Sequence, residues 1–218
     1  MYSCETANFD IHHPFPKKPS SNPTAFPQTA NPSTETIVRM TDKGQVRERC
    51  VEVRLLLLDC DGVLTDGSIL LDDRGVETKR FHVRDGSAIK LWKKSGGQVG
   101  IISGREGQAV RHRAKELGIE ILHLGVGEKM EVVQQVLDQL GMVAAQLCFV
   151  GDDLADLPPV QQAGLGVAVA DACEELKEAA HYVTAARGGH GAVRETVELL
   201  LKHQQRWASL VGGPTQHG

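Results

Sequence analysis

Asp59 and Asp61 flank a cysteine at the end of the first apolar run of the chain, Val53 to Leu58. Two carboxylates two residues apart, on a strand that continues into a loop, can project towards one site. One can attack phosphorus and split a hard displacement into two easier ones. The other can donate a proton to the leaving oxygen and then accept one from water. More polar residues close later apolar runs: Ser103-Gly104-Arg105 after Val99 to Ile102, and Gly151-Asp152-Asp153 after Leu147 to Val150, with Asp156 three residues on. Lys129 opens the helical pattern that follows Ile121 to Leu124. Several carboxylates together repel unless a hard cation joins them, and Mg²⁺ prefers oxygen ligands. The cation would also screen the approach of an anionic nucleophile to an anionic phosphate. A hydroxyl, a lysine and backbone N–H groups can hold phosphoryl oxygens. Each piece has a plainer reading by itself. An Asp-x-Asp at a strand end serves as a turn or cap, Ser-Gly-Arg is nearly uninformative, a lysine at a helix start is usually solvated, and Asp156 before Leu157-Pro158 suits an N-cap. Their order on successive strands is what points to a shared site.

The elements that must position these residues alternate. Val53 to Leu58, Val99 to Ile102, Ile121 to Leu124, Leu147 to Val150 and Leu165 to Val169 read as strands, with Tyr182 to Thr184 a weaker sixth. Runs apolar on both faces suit parallel strands covered by helices. Ser87 to Lys94, Glu106 to Leu117, Lys129 to Leu140 and Ala192 to Trp207 read as helices, and Gly118 and Gly141 sit where C-caps are expected. This order predicts an α/β fold, a doubly wound Rossmann-like parallel sheet whose ligands bind at the carboxyl ends of the strands. One stretch breaks the alternation. Between Ser68 and Val83, two β-prone arms flank Asp72-Asp73-Arg74-Gly75, which predicts a small hairpin inserted after the first strand, at about residues 67–84.

Residues 1–45 differ from the rest. Six of the nine prolines lie between Pro14 and Pro32, among Ser, Thr and Asn, with no apolar periodicity. Such a segment cannot bury enough surface to offset its ordering entropy, so a disordered tail is expected there. It lacks the apolar stretch of a secretory signal, and Arg39 is its first arginine, which argues against a transit peptide; a mis-assigned start codon is a bland alternative. The folded domain is expected over residues 50–207, and a flexible C-terminal tail over 208–218. The net charge of −4 gives no sign of a nucleic-acid partner, and no window approaches a membrane span. Cys4, Cys50, Cys60, Cys148 and Cys173 are odd in number, without a CxxC pair, which favours reduced thiols in a cytoplasmic protein over a zinc site or a disulfide framework.

Asp59-Cys60-Asp61-Gly62-Val63-Leu64-Thr65 resembles the first motif of the haloacid dehalogenase-like superfamily, and Ser103, Lys129 and Gly151-Asp152-Asp153 resemble its second, third and fourth. The resemblance covers roughly Val53 to Leu201. It implies Asp59 as nucleophile and Asp61 as general acid/base, with Asp59, the backbone carbonyl of Asp61, and Asp152 as Mg²⁺ ligands. It implies that Ser103, Gly104 and Lys129 bind the phosphoryl group, and that Asp153 and Asp156 support the metal shell and Lys129. About 17 residues separate Asp66 from Arg84 and no insertion follows Lys129, so there is no room for a cap domain. The hairpin, Phe81-His82-Val83-Arg84-Asp85-Gly86, Val167-Ala168-Val169-Ala170-Asp171-Ala172 and Gly188-Gly189-His190-Gly191-Ala192-Val193-Arg194-Glu195 resemble the capless 3-deoxy-D-manno-octulosonate 8-phosphate (KDO 8-phosphate) phosphatases of lipopolysaccharide biosynthesis. That likeness implies a phosphorylated sugar acid as substrate and a homotetramer built around the hairpins; a hairpin folded back on its own domain is the alternative. His190 stands where family members commonly carry arginine or lysine, which weakens any anion-binding role there. Arg84 and Arg105, like His190, are candidates for substrate carboxylate or phosphate, with ordinary salt bridges as the competing reading.

Three rivals follow. A phosphatase for nonulosonic acid 9-phosphates shares much of the pattern. A response-regulator receiver would need an aspartate after the third strand, where Gly125-Val126-Gly127-Glu128 has none. A non-catalytic oligomeric scaffold would not need the full set of catalytic residues present here.

Overall fold

The computed structural model describes residues 43–212. Most of the expected N-terminal tail, to residue 42, and residues 213–218 of the expected C-terminal tail lie outside them.

The centre is Leu55–Leu58 (β1), four leucines with no exposed surface. Side chains apolar on both faces need cover on both faces, which a parallel sheet between helices supplies. Gln98–Ser103 (β4) and Leu147–Gly151 (β6) flank β1, both parallel to it. Ile121–Leu124 (β5), Leu165–Ala168 (β7) and Tyr182–Val183 (β8) complete a six-stranded parallel sheet in the order β5-β4-β1-β6-β7-β8. Leu58 lies in register with Ile101 of β4 and Val150 of β6. The residues just beyond, Asp59, Ser103 and Asp152, therefore emerge along one edge. The chain builds outward from β1 to β5, then crosses to the other side of β1 and builds outward to β8. The carboxyl end of β1 is thus the point where strand order reverses, the crevice in which open α/β sheets bind ligands.

The helices fall into two groups. Val83–Lys94 (α2) packs against Gln108–Leu117 (α3) and Ala192–His203 (α7), while Lys129–Leu140 (α4), Leu157–Gln162 (α5) and Glu174–Ala179 (α6) pack in succession. Asp85, in the first turn of α2, accepts a hydrogen bond at Oδ1 from the Arg194 N–H of α7 at 2.8 Å and so joins two helix starts. Gly118 and Gly141 close α3 and α4 in the left-handed conformation expected of them.

Several boundaries differ from expectation. Lys43–Glu52 forms a helix (α1) across the expected end of the tail. Its Val46 and Cys50, four residues apart on one face, are buried, and Gln204 Nε2 caps the turn by donating to the Cys50 and Val53 carbonyls at 2.8 and 2.9 Å. Three apolar residues in ten, one of them exposed, give too little periodicity to announce it. A short helix, Trp207–Val211 (α8), stands at the start of the expected C-terminal tail, with Arg194 and Lys202 over the Trp207 ring. Helix α2 begins at Val83 rather than Ser87 and takes the end of the expected hairpin. The ribbon itself pairs only Leu70–Leu71 (β2) with Glu77–Thr78 (β3), antiparallel. Helices α5 and α6, six residues each, are too short to show a period.

Helix α1 contributes measurable stability because it brings two buried side chains to the core. A chain beginning at Val53 is expected to lose about 2–4 kcal/mol. For a domain of this size that lowers the melting temperature by about 5–15 °C. Calorimetry of the truncated chain checks it, and an unchanged melting temperature would show that α1 rests on the domain without holding it.

Candidate active site

Lys129 is the first residue of α4, and its side chain is 6% exposed. Its Nζ donates to Asp59 Oδ1 and to Asp156 Oδ1, both at 2.6 Å. Asp156 stands in the N-cap position of α5, but it makes no cap there. Its second oxygen instead accepts the Asp152 backbone N–H at 3.0 Å. One buried carboxylate therefore positions both Lys129 and the start of the Asp152 loop, which decides between capping and site support. Oxygens of Asp59, Asp152 and Asp156 all lie within 4.8 Å of one another. Two of the three carboxylates share one ammonium, and Asp152 has no cationic partner among the described residues. Burial, with Asp156 nearby, pushes the Asp59 carboxyl up to about 6. Burial, with Asp59 and Asp156 nearby, pushes Asp152 up to about 8. Burial opposes the charge on Lys129, but the two carboxylates outweigh it and raise its pKa.

The arrangement fits a hard divalent cation. Asp156 spends both oxygens on donors, so Asp59 and Asp152 are the carboxylates left to hold an ion. The backbone also leaves room. Gly62 has φ +98°, and a Cβ there would lie 2.0 Å from Asp152 Oδ2. Any side chain at position 62 would both strain the loop and strike the metal-facing carboxylate.

The Asp59–Thr65 loop is held from below and from the side. Thr65 is buried, and its Oγ1 accepts the Gly67 N–H at 3.3 Å. The Gly189 N–H donates to the Val63 carbonyl at 2.9 Å. At Gly188 the two loops approach so closely that a Cβ would fall 1.6 Å from the Gly62 carbonyl oxygen. Asp171 Oδ1 accepts the Gly188 N–H at 2.9 Å, and Glu195 accepts from Ala185 N and Ala186 N, each at 2.8 Å. These two acids fix the loop that braces the Asp59–Thr65 segment.

Asp61 meets the ribbon. Lys79, its side chain 2% exposed, bonds Asp61 Oδ1 and lies 3.2 Å from Glu77 Oε1. Arg105 Nη2 donates to Glu77 Oε1 at 2.8 Å, and its Nε is 3.6 Å from Asp61 Oδ2. Arg105 thus forms ion pairs beside the site. Ser103 is buried, and its Oγ accepts the Arg105 N–H at 3.2 Å, while Gly104 is exposed at the same strand end. The other expected residues gather less closely. Asp153 is exposed and accepts the Leu154 N–H at 2.8 Å; it makes no hydrogen bond to Lys129, so support of that lysine falls to Asp156 alone. Arg84 is exposed on the first turn of α2 without an ion pair among the described residues. His190 is exposed, with Nδ1 2.8 Å from the Gly188 carbonyl oxygen.

Sequence reasoning missed Lys79, Glu77, Asp171 and Glu195 as individuals. Glu77 and Lys79 alternate with Val76 and Thr78, so period two placed them on one face of an arm. What that face meets was not legible.

A crevice of acids and one buried lysine at the switch point of a parallel sheet defines a haloacid dehalogenase-like hydrolase, and that family matches residues 118–195, which include Lys129, Asp152 and Asp156. The 3-deoxy-D-manno-octulosonate 8-phosphate phosphatase of Yersinia pestis is 42% identical over 167 residues, covering 77% of this chain and 89% of that protein. Its counterpart in Escherichia coli K12 is 45% identical over 161 residues, covering 74% and 86%. The crystal structure of the Moraxella catarrhalis phosphatase, in complex with magnesium, phosphate and a KDO molecule, superposes with a TM-score of 0.76 at 37% identity, covering 78% of this chain and 97% of that one. The chain belongs to the 3-deoxy-D-manno-octulosonate 8-phosphate phosphatase family.

The raised carboxyls set a pH dependence. An aspartate in the unfolded chain titrates near 4. Asp59 and Asp152 titrate higher in the folded, metal-free protein, so that state holds protons which unfolding releases. Stability is therefore lost as pH rises from about 4 through about 6 and 8. The melting temperature in EDTA should fall between pH 5 and pH 8.5, and excess Mg²⁺ should recover most of the loss at the alkaline end. A flat profile in EDTA would contradict the crowding of acids described above.

Proposed function

We propose that the chain is a Mg²⁺-dependent phosphatase that hydrolyses KDO 8-phosphate to KDO and phosphate through an aspartyl-phosphate on Asp59. The observation that carries this reading is the buried Lys129 held between Asp59 and Asp156 beside an unpaired Asp152. The family relationship supports the choice of sugar acid.

In the first half-reaction the Asp59 carboxylate attacks phosphorus and the ester P–O bond breaks. Asp61 gives a proton to the departing alkoxide. In the second, Asp61 as carboxylate takes a proton from water, the hydroxide attacks phosphorus, and Asp59 leaves as a carboxylate with inorganic phosphate released. Lys129 offsets negative charge at Asp59 throughout, and the Ser103 hydroxyl with backbone N–H at Gly104 holds phosphoryl oxygens. Mg²⁺ bound by Asp59, Asp152 and the Asp61 carbonyl would neutralise charge on the transferring group. Asp153 supports the acidic loop from its exposed side, and Arg84, Arg105 and His190 line the approach for an anionic substrate.

We further propose a homotetramer joined through the ribbons, acting in the cytoplasm in lipopolysaccharide biosynthesis. Ile69, Leu70, Leu71 and Val76 are each more than half exposed on a ribbon that pairs two residues per arm. An isolated two-stranded ribbon is marginal in water, and a further copy would cover this surface. Free Cys50, Cys60, Cys148 and Cys173 suit a reducing compartment. Among the described residues no helix is long and apolar enough to cross a membrane.

Two experiments test these readings. Asp59→Asn should lower kcat for KDO 8-phosphate by about three orders of magnitude or more while the melting temperature persists. Phosphate release across a panel of sugar-acid phosphates checks the substrate, and a nonulosonic acid 9-phosphate turned over faster would reassign it. Ile69→Asp with Leu71→Asp should dissociate the assembly, because an unpaired charge at an apolar interface costs several kcal/mol. Light scattering over a range of concentrations reads this, and a wild-type monomer with full activity would refute the tetramer.

A further inference from the structure

The ribbon with the exposed apolar tip also carries a buried ammonium. Lys79 follows β3 directly, and its side chain, 2% exposed, is at least as enclosed as that of Lys129 at 6%. Enclosing a lysine costs desolvation and the freedom of a long, flexible stem, so it persists only where carboxylates receive it. Two do: Glu77, on the same face of the arm, at 3.2 Å, and Asp61 at Oδ1. Glu77 is held in turn by Arg105 at 2.8 Å. The two oxygens of Asp61 therefore differ. Oδ1 is tied to the ribbon. Oδ2 is enclosed yet has no hydrogen-bond partner, and Arg105 Nε lies 3.6 Å from it. Arg105 is about half exposed and free on its outer side to swing away.

A carboxylate that rotates about its Cβ–Cγ bond presents either oxygen in any direction. One pinned at Oδ1 presents Oδ2 in one direction only. We propose that Lys79 is a positioning residue for the reaction: it fixes the Asp61 carboxylate so that Oδ2 is the oxygen that exchanges the proton with the leaving group and then with water. The inference rests on the reading of Asp61 as general acid/base. It gives the ribbon a role inside each subunit, separate from any role of its tip between subunits. A displaced ribbon would misplace the proton donor while leaving Asp59, Lys129 and Asp152 where they are.

The leaving group separates this role from a merely structural one. The alkoxide released from a sugar acid needs a proton to depart, whereas p-nitrophenolate leaves without one. Lys79→Met, close in shape and uncharged, should lower kcat for KDO 8-phosphate by about 10–100-fold. The ratio of kcat/KM on the sugar phosphate to kcat/KM on p-nitrophenyl phosphate, which reports the leaving-group step and not the hydrolysis of the shared aspartyl-phosphate, should fall by about tenfold or more. Asp61→Asn should shift the ratio the same way, and adding Lys79→Met to Asp61→Asn should change it little, because the lysine acts through the aspartate. Lys79→Arg should restore most of the ratio. Should Lys79→Met prove unstable, Glu77→Gln keeps the ammonium, loosens its second anchor, and should move the ratio in the same direction. Equal losses of kcat/KM on both esters, a raised KM with unchanged kcat, or no loss would each overturn the proposal while the phosphatase reading stands. A wild-type chain inactive on both esters would overturn that reading and this inference with it.

Discussion

The buried lysine between two aspartates is the constraint on which the rest depends. Lys129 opens α4, where the helix dipole disfavours a cation. It stays there, nearly without solvent, because Asp59 and Asp156 each accept one of its protons at 2.6 Å. Neither acid is local to it: one closes β1 and the other follows β6. The pairing therefore exists only if β1, β6 and the start of α4 meet at one edge. That is what the crossing between the two halves of the sheet accomplishes. Removing Lys129 would leave two buried carboxylates without a cation, which is costly, whereas removing one aspartate leaves the ammonium paired with the other. Asp152, brought beside this pair by its N–H bond to Asp156, then adds a negative charge that no side chain among the described residues offsets. The architecture gathers more carboxylates than ammonium groups at one point, an oxygen-rich donor set that suits a doubly charged cation.

Close backbone approach is the second constraint. The catalytic loop and the Gly188-Gly189 loop touch without side chains between them, and Gly62 turns beneath Asp152 in a conformation other residues rarely adopt. Two acids far from the chemistry, Asp171 and Glu195, hold the bracing loop by its backbone N–H groups. Their role is geometric. A shift of that loop would move Asp59 and Asp61 together relative to Asp152, and small misplacements of reacting groups are expensive in rate.

The fold was legible because its signals are local and redundant. Five apolar runs, glycine caps and helical periods marked every strand flanking the site, and the polar residues at their ends marked the edge where they gather. Asp59, Asp61, Ser103, Lys129, Asp152 and Asp156 all fall on that edge. What escaped reading was set by tertiary contact. Helix α1 carries two core residues in ten, so nothing in its period distinguished it from the preceding segment. The choice between Asp153 and Asp156 as the support of Lys129 depended on which carboxylate points inward across a single 3₁₀ turn, and identical acids three residues apart give no clue to that. Lys79 and Glu77 showed the alternation of a strand, but their partners lie 18 residues upstream at Asp61 and 28 downstream at Arg105.

The ribbon shows how period two can serve two surfaces with very few residues. Its paired core is four residues, too few to hold a shape in water. It keeps its place because its second arm is bound through Glu77 and Lys79 to Arg105 and Asp61, side chains rooted in the strand ends of the main sheet. The tip beyond that anchor is apolar and exposed, with Leu71 63% and Ile69 56% open to solvent. Anchor and tip respond to different forces. The ion pairs lie in a partly enclosed site where salt screens them weakly, whereas apolar surface is covered by association whatever the ionic strength. One short insertion thus presents an apolar tip to solvent and, through Lys79, reaches Asp61, which Lys129 does not touch.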